Sequence, residues 1–108
     1  MPSEQEIEQK IKIKNNYKNI NPPRLTPEHI NGAIESDVYY VFPNTCHTVC
    51  CLTLKNGFTV LGESACASPE NYDKEIGEKI AYANAREKIW ALEGYLLKQK
   101  LFVEAEVV

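Results

Sequence analysis

Two β-rich runs on either side of Asn56-Gly57 constrain the fold more than any other feature of the sequence. They form the segment TVCCLTLKNGFTVLGESACA, residues 48–67. An Asn-Gly dipeptide tolerates the positive φ angles of a two-residue type I′ turn, so the segment predicts a β-hairpin. Counting outward from such a turn pairs Leu52 with Leu61, and alternation then assigns every side chain to one of two faces.

Neither face of this predicted hairpin is polar, so we expect both faces to contact something. In the predicted register Cys66 lies opposite His47 on one of these faces. The first face carries Cys50, Leu52, Leu54, Leu61 and Ala65, and the second carries His47, Val49, Cys51, Phe58, Val60 and Cys66.

The last third of the chain predicts one long helix. Ser68 is a candidate N-cap, Pro69 suits the first helical position, and Lys98 and Lys100 suit the negative end of a helix dipole. These start and stop signals predict a helix of about thirty residues.

This helix has two apolar stripes on opposite sides, at about 100° per residue. One stripe can cover the hairpin, and the other meets the first helix or a second subunit. One stripe contains Ile76, Ile80, Ala83, Trp90, Leu97 and Leu101. We assign the other stripe to an interface between subunits, and we therefore expect a homo-oligomer. This second stripe contains Ala81, Ala85, Ile89, Leu92 and Leu96.

The segments before the hairpin are shorter. Pro22-Pro23 ends any preceding helix, so residues 1–23 are predicted to be an N-terminal arm or linker. The segment LTPEHINGAIES, with Thr26 as N-cap, predicts a helix of two to three turns. DVYYVF then forms either a short third strand near residues 38–42 or an apolar connector.

Together these elements predict an α+β fold in one domain, residues 24–108. A β-hairpin packs on a long C-terminal helix, and a short helix precedes the hairpin.

Composition excludes several classes of function. The net charge of -3 argues against non-specific nucleic-acid binding, which needs an excess of basic side chains. No apolar run reaches the length of a membrane span, and the acidic start MPSEQEIEQK lacks the apolar run of a secretory leader. We therefore expect a cytoplasmic protein with no membrane partner, in which the four cysteines are free thiols.

Catalytic and metal sites have only weak support in the sequence. A Cys66 thiol activated by His47 is the main enzymatic alternative, but no third orienting group or oxyanion hole is identifiable. Zinc ligation is disfavoured because Cys46 and Cys50 lie far apart along one predicted strand. We predict no catalytic residue, no metal and no cofactor, and hence a protein that is not an enzyme.

Binding is the more natural interpretation of the remaining polar and aromatic side chains, because aromatic and Arg residues are typical interface anchors. The structural alternative is that Trp90 belongs to the core and Arg86 pairs with an acid. The candidate binding residues are Glu63, Tyr82, Asn84, Arg86 and Trp90.

Three segments carry a family resemblance: LTPEHINGAI, CLTLKNGFTVLGESACASPENYD and KIAYANAREKIWALEGYLLKQKL. Across about residues 24 to 101 the chain resembles a family of small bacteriophage proteins named after the gene-forty-nine product of a coliphage and the gene-sixty-six product of a Shigella phage. The resemblance implies a phage or prophage origin and action in the cytoplasm of the bacterial host. It implies no reaction and no catalytic residues.

The leading hypothesis is therefore a small phage accessory protein that binds a host component stoichiometrically. The alternative is a sponge that sequesters a nucleotide immune signal in a pocket lined by Arg86 or Lys79 and by Tyr82 or Trp90. An enzyme that depends on Cys66 is the third hypothesis.

Overall fold

The α+β prediction is confirmed by the structure, a computed structural model that describes residues 3–18 and 23–106, with side chains for residues 3–11 and 23–106. An antiparallel sheet of three strands, in the order β1-β2-β3, packs on a long helix. The elements in chain order are α1 (Glu4–Lys18), α2 (Pro27–Gly32), β1 (Ile34–Val41), β2 (Thr48–Leu54), β3 (Thr59–Ser64), a single 3-10 turn (Pro69–Asn71) and α3 (Lys74–Glu106).

The hairpin is present, but its loop is one residue longer than predicted. The Leu54 N–H donates to the Phe58 carbonyl at 2.7 Å, and the Gly57 N–H donates to the Leu54 carbonyl at 2.9 Å. Only Gly57 in this loop has positive φ, at 90°. A three-residue loop needs just one such residue, whereas a type I′ turn needs two.

This longer loop shifts the register of β3 by one residue. Leu52 pairs with Val60 rather than with Leu61, and the predicted pairing of His47 with Cys66 is wrong. A shift of one residue moves every side chain of β3 to the opposite face. The face that is buried under α3 therefore carries Thr48, Cys50, Leu52, Leu54, Val60 and Gly62.

The segment before the hairpin contains less helix and more strand than predicted. Thr26 does cap α2, since its hydroxyl accepts the His29 N–H at 3.1 Å. The helix ends at Gly32, and Ile34, which lies in the segment predicted to be helical, belongs to β1. The third strand is confirmed, and it is eight residues long because β2 offers it a full antiparallel partner.

Helix α3 is confirmed and begins later than Ser68. Pro69–Asn71 forms the separate 3-10 turn, and the Asp73 carboxylate accepts the Ile76 N–H at 3.1 Å, as an N-cap does. The helix closes the core over the sheet. The buried apolar residues are Ile30, Cys50, Leu52, Leu54, Val60, Ala81, Ala85 and Ile89.

The predicted N-terminal arm is mostly helical, since α1 spans Glu4–Lys18, while residues 19–22 lie outside the described residues. Glu8 forms a bidentate ion pair with Arg24, at 2.7 and 2.9 Å. None of the helices described here is both long and apolar enough to cross a membrane.

Candidate functional site

The face of the sheet that points away from α3 is exposed and largely apolar, apart from a polar row near the hairpin loop formed by Ser36, Thr53 and Thr59. Along β2, buried residues that face α3 alternate with half-buried residues that face away from it. The half-buried Cys51 pairs with Val38 of β1 and Leu61 of β3, so these three residues form one cross-strand row on the face away from α3. Val38 is 63% exposed and Leu61 is 52% exposed. We call this surface the outer sheet face; it comprises Val38, Tyr40, Phe42, Val49, Cys51 and Leu61, with His47 and Glu63 at its edge.

Three rings make up one end of the outer sheet face. Tyr40 and Phe42 meet edge to face with centroids 5.1 Å apart, and Phe42 and His47 do the same at 5.8 Å. The Phe42 N–H donates to the His47 carbonyl at 3.1 Å, so the connection between β1 and β2 holds both rings together. Tyr40 and Phe42 are nevertheless largely exposed, which leaves their ring faces available to a partner.

A polar pair closes the edge of this face. His47 Nε2 lies 2.6 Å from Glu63 Oε2, and Asn84 Nδ2 donates to the Glu63 carbonyl at 2.8 Å. The structure therefore brings together two of the predicted binding residues, Glu63 and Asn84. An open groove of about 720 Å³ runs along this edge; it is lined by Phe42, Thr45, His47, Val49, Leu61, Gly62, Glu63 and Lys88.

Arg86 and Trp90, two other predicted binding residues, lie elsewhere, beside α1. Arg86 forms an ion pair with Glu4 and donates from Nε to Asn31 Oδ1 at 2.9 Å. Trp90 Nε1 donates to the same Glu4 carboxylate at 3.2 Å. Tyr82, the fifth residue, is half-buried against the core. The five predicted residues therefore form no single site.

The residues of the predicted subunit interface fall into two groups, one buried in the core and one partly or largely exposed. Ala81, Ala85 and Ile89 are fully buried in the core of one chain, so they have no surface to offer a second copy. Leu92 packs partly against this core, and Leu96 is 55% exposed. The physical reason is that this stripe, rather than the stripe containing Ile76 and Ile80, covers the hairpin.

The thiols and ionisable groups of the sheet have structural surroundings. Burial raises the pKa of the Cys50 thiol, and burial likewise raises the pKa of the Tyr39 hydroxyl, so both groups stay neutral. His47 contacts Glu63 rather than Cys66. Among residues 3–11 and 23–106, no three His, Cys, Asp or Glu side chains are placed to hold a metal ion together.

Val38, Tyr40, Phe42 and Leu61 were not predicted to be surface residues. In β1 and the residue after it, the exposed Val38, Tyr40 and Phe42 alternate with the half-buried Tyr39 and Val41, but all five are apolar or aromatic, so the sequence has no signal that separates them. For Leu61 no signal existed, since its face depends on the loop length of the hairpin.

Comparison with known proteins gives one family. Residues 25–101 match the family described as Phage protein (N4 Gp49/phage Sf6 gene 66). No curated protein and no solved structure matches the chain.

Proposed function

Because the chain belongs to the Phage protein (N4 Gp49/phage Sf6 gene 66) family, a family of unknown activity, we propose that it binds one host protein stoichiometrically in the cytoplasm of the infected bacterium. The outer sheet face is the docking surface. The observation that carries this proposal is the exposure of Val38 and Tyr40 on β1 and of Leu61 on β3, on either side of the half-buried Cys51 of β2. A large contiguous apolar patch of this kind marks an interaction site in a soluble protein.

The chemistry of the face favours a protein as the occupant. Aromatic side chains among apolar ones, with polar groups at the rim, are typical of protein interfaces. Here Tyr40 and Phe42 supply the rings at one end of the face, and the His47–Glu63 pair supplies the polar edge. Small-molecule sites enclose most of their ligand, whereas this face is one side of an open sheet and the groove along its edge is open.

No observation favours the nucleotide sponge. The hypothesis needs Arg86 or Lys79, together with Tyr82 or Trp90, to line a pocket for an anion. In the structure Arg86 and Trp90 both bind the carboxylate of Glu4, so a phosphate group would have to displace it. Lys79, the other cation in that hypothesis, pairs with Glu75 on the exposed side of α3.

Self-association is a second part of the proposal, and it uses a different surface. The stripe of α3 that covers the sheet continues toward the C-terminus of the helix, where Leu96 and Val103 are exposed. At about 1.5 Å per residue the 33 residues of α3 extend about 50 Å, which is far longer than strands of six to eight residues. We propose that a second copy of the chain covers this overhang.

Site-specific photo-crosslinking in infected cells tests the docking surface. A photoreactive phenylalanine analogue replaces Tyr40 in one variant. In a control variant it replaces Ile80, which is exposed on α3 outside the outer sheet face. We expect one host protein to be linked from position 40 and not from position 80. The purified host protein then forms a complex of fixed stoichiometry with the unlabelled chain.

Three outcomes would contradict the proposal. Crosslinks from position 40 only to further copies of the chain would make the face a subunit interface. Equal crosslinking from both positions would show non-specific contact. A co-purifying nucleotide with no protein partner would favour the sponge.

A further inference from the structure

Cys46 and Cys66 lie just beyond the strands, at the end of the hairpin that is farthest from its loop. The last pair of the β2–β3 ladder is Thr48 with Ser64. Cys46 precedes Thr48 by two residues and Cys66 follows Ser64 by two, so an extension of the same register would place the two cysteines opposite each other. Facing residues of antiparallel strands have α-carbons about 4.5 to 5.5 Å apart, which is within the range that a disulfide spans.

The two side chains also meet in space. Both line one small cavity of about 90 Å³ between the hairpin and the start of α3. The pKa of the Cys46 thiol is raised, first by a hydrogen bond with the Cys66 thiol and then by burial. Both thiols are only half-buried, so a small reactant reaches them from solvent.

The other two cysteines, Cys50 and Cys51, do not face a second cysteine. Cys50 is fully buried in the core, and Cys51 lies on the outer sheet face beside Val38 and Leu61. Their side chains point to opposite faces of β2, because consecutive strand residues alternate. Neither is placed opposite another cysteine in the β1–β2 or β2–β3 ladder.

We propose that Cys46 and Cys66 are a thiol modification site, which small disulfides such as oxidised glutathione convert into an intramolecular disulfide. The thiolate of one cysteine attacks a sulfur of oxidised glutathione and expels one glutathione thiolate. The thiolate of the second cysteine then attacks the protein sulfur of this mixed disulfide and expels the other glutathione thiolate. The protein loses two electrons and two protons, and one small disulfide becomes two thiols.

Mass spectrometry of the full-length protein after incubation with oxidised glutathione tests this site. Intact mass measurement should show the loss of two hydrogen atoms with no glutathione retained. Trypsin cleaves after Lys55, which separates Cys66 from the peptide that holds the other three cysteines. Under non-reducing conditions we expect these two peptides to be linked, and fragmentation should localise the bond to Cys46.

Two variants complete the test. Cys46→Ser should abolish the linked peptide and leave glutathione attached at Cys66, whereas the matched control Cys51→Ser should give the same linked peptide as the natural sequence. Fragmentation of the unsubstituted protein gives the assignment even where a variant folds poorly. A bond to Cys51, a bond between two chains, or glutathione that stays attached to the natural sequence would overturn the proposal.

Discussion

Gly62 of β3 lies directly against the backbone of Ala85 in α3. A methyl carbon added to Gly62 would be 2.1 Å from the Ala85 nitrogen and 2.3 Å from the Ala81 carbonyl oxygen. Real non-bonded carbon atoms do not approach backbone atoms so closely. The sheet and the helix therefore meet backbone to backbone at this point, and a glycine is required there.

We predict that Gly62→Ala destabilises the fold by about 3 kcal/mol or more, at the upper end of the range for overpacked cores. The contact is with helix backbone, which cannot move aside as a flexible side chain would. The matched control is Gly32→Ala at the end of α2, where an added methyl group meets nothing within 4 Å. Urea unfolding should give a large loss for the first variant and almost none for the second. Equal stabilities would show that the helix lies farther from the sheet.

The hairpin loop gives a prediction about backbone strain. Gly57 has φ of 90° with no neighbour near its α-carbon, so Gly57→Ala should cost about 1 to 2 kcal/mol through backbone strain alone. Gly94→Ala in α3 should have the opposite sign, a gain of about 0.5 to 1 kcal/mol, because the site is helical and has only an ordinary contact with Leu25. Thermal unfolding compares the two. A neutral Gly57→Ala variant would contradict the positive φ at position 57.

Trp90 reports on the docking of α1. Since it is the single tryptophan of the chain and donates to Glu4, its fluorescence responds to this contact. We expect Glu4→Ala to alter the emission of Trp90 and to cost about 1 kcal/mol, a surface-like value because the Glu4 side chain is 42% exposed. Gln5→Ala, at the neighbouring exposed position, should leave the emission unchanged. Identical spectra for all three proteins would contradict the docked position of α1.

Glu70 gives a prediction about pH. Its pKa is lowered, first by the hydrogen bond that the Ser68 hydroxyl donates and then by a backbone N–H. A lowered pKa stabilises the fold above the usual Glu range, and this contribution is lost as the pH falls through the folded pKa. NMR titration of the Glu70 carboxyl group should show the pKa rising toward its ordinary value in Ser68→Ala. An unchanged titration curve in that variant would exclude the hydroxyl as the cause.

Self-association should depend on the overhanging end of α3. Leu96→Glu should convert an oligomer to a monomer in sedimentation at tens of micromolar without loss of stability, because Leu96 is exposed in the single chain. Ala83→Glu introduces the same charge on the far side of α3 and should leave the oligomer intact. A natural chain that sediments as a monomer would contradict this part of the account.

Local signals were sufficient for the main elements and insufficient for their pairing. The Thr26 cap, the Asn56-Gly57 hairpin and the long final helix each follow from short-range chemistry, so they were predictable. The register was not, because Asn-Gly is compatible with loops of two or three residues.

The undetermined loop length of the hairpin affected the predicted positions of several candidate site residues. The longer loop exchanged the faces of Val60 and Leu61, and it removed the predicted pairing of His47 with Cys66. The stripe containing Ala85 was assigned to a subunit interface for a related reason. Its small side chains fit a closely approaching strand backbone, and periodicity does not distinguish that partner from a second chain.

The affinity of the purified host partner for two matched variants tests the central claim most directly. Leu61→Ser shortens a side chain on the outer sheet face, and Ile80→Ser does the same at an exposed position of α3 outside that face. Titration calorimetry should show about tenfold weaker binding for Leu61→Ser, equivalent to about 1.4 kcal/mol, and unchanged binding for Ile80→Ser. Unchanged binding for Leu61→Ser would show that the outer sheet face is not the docking surface.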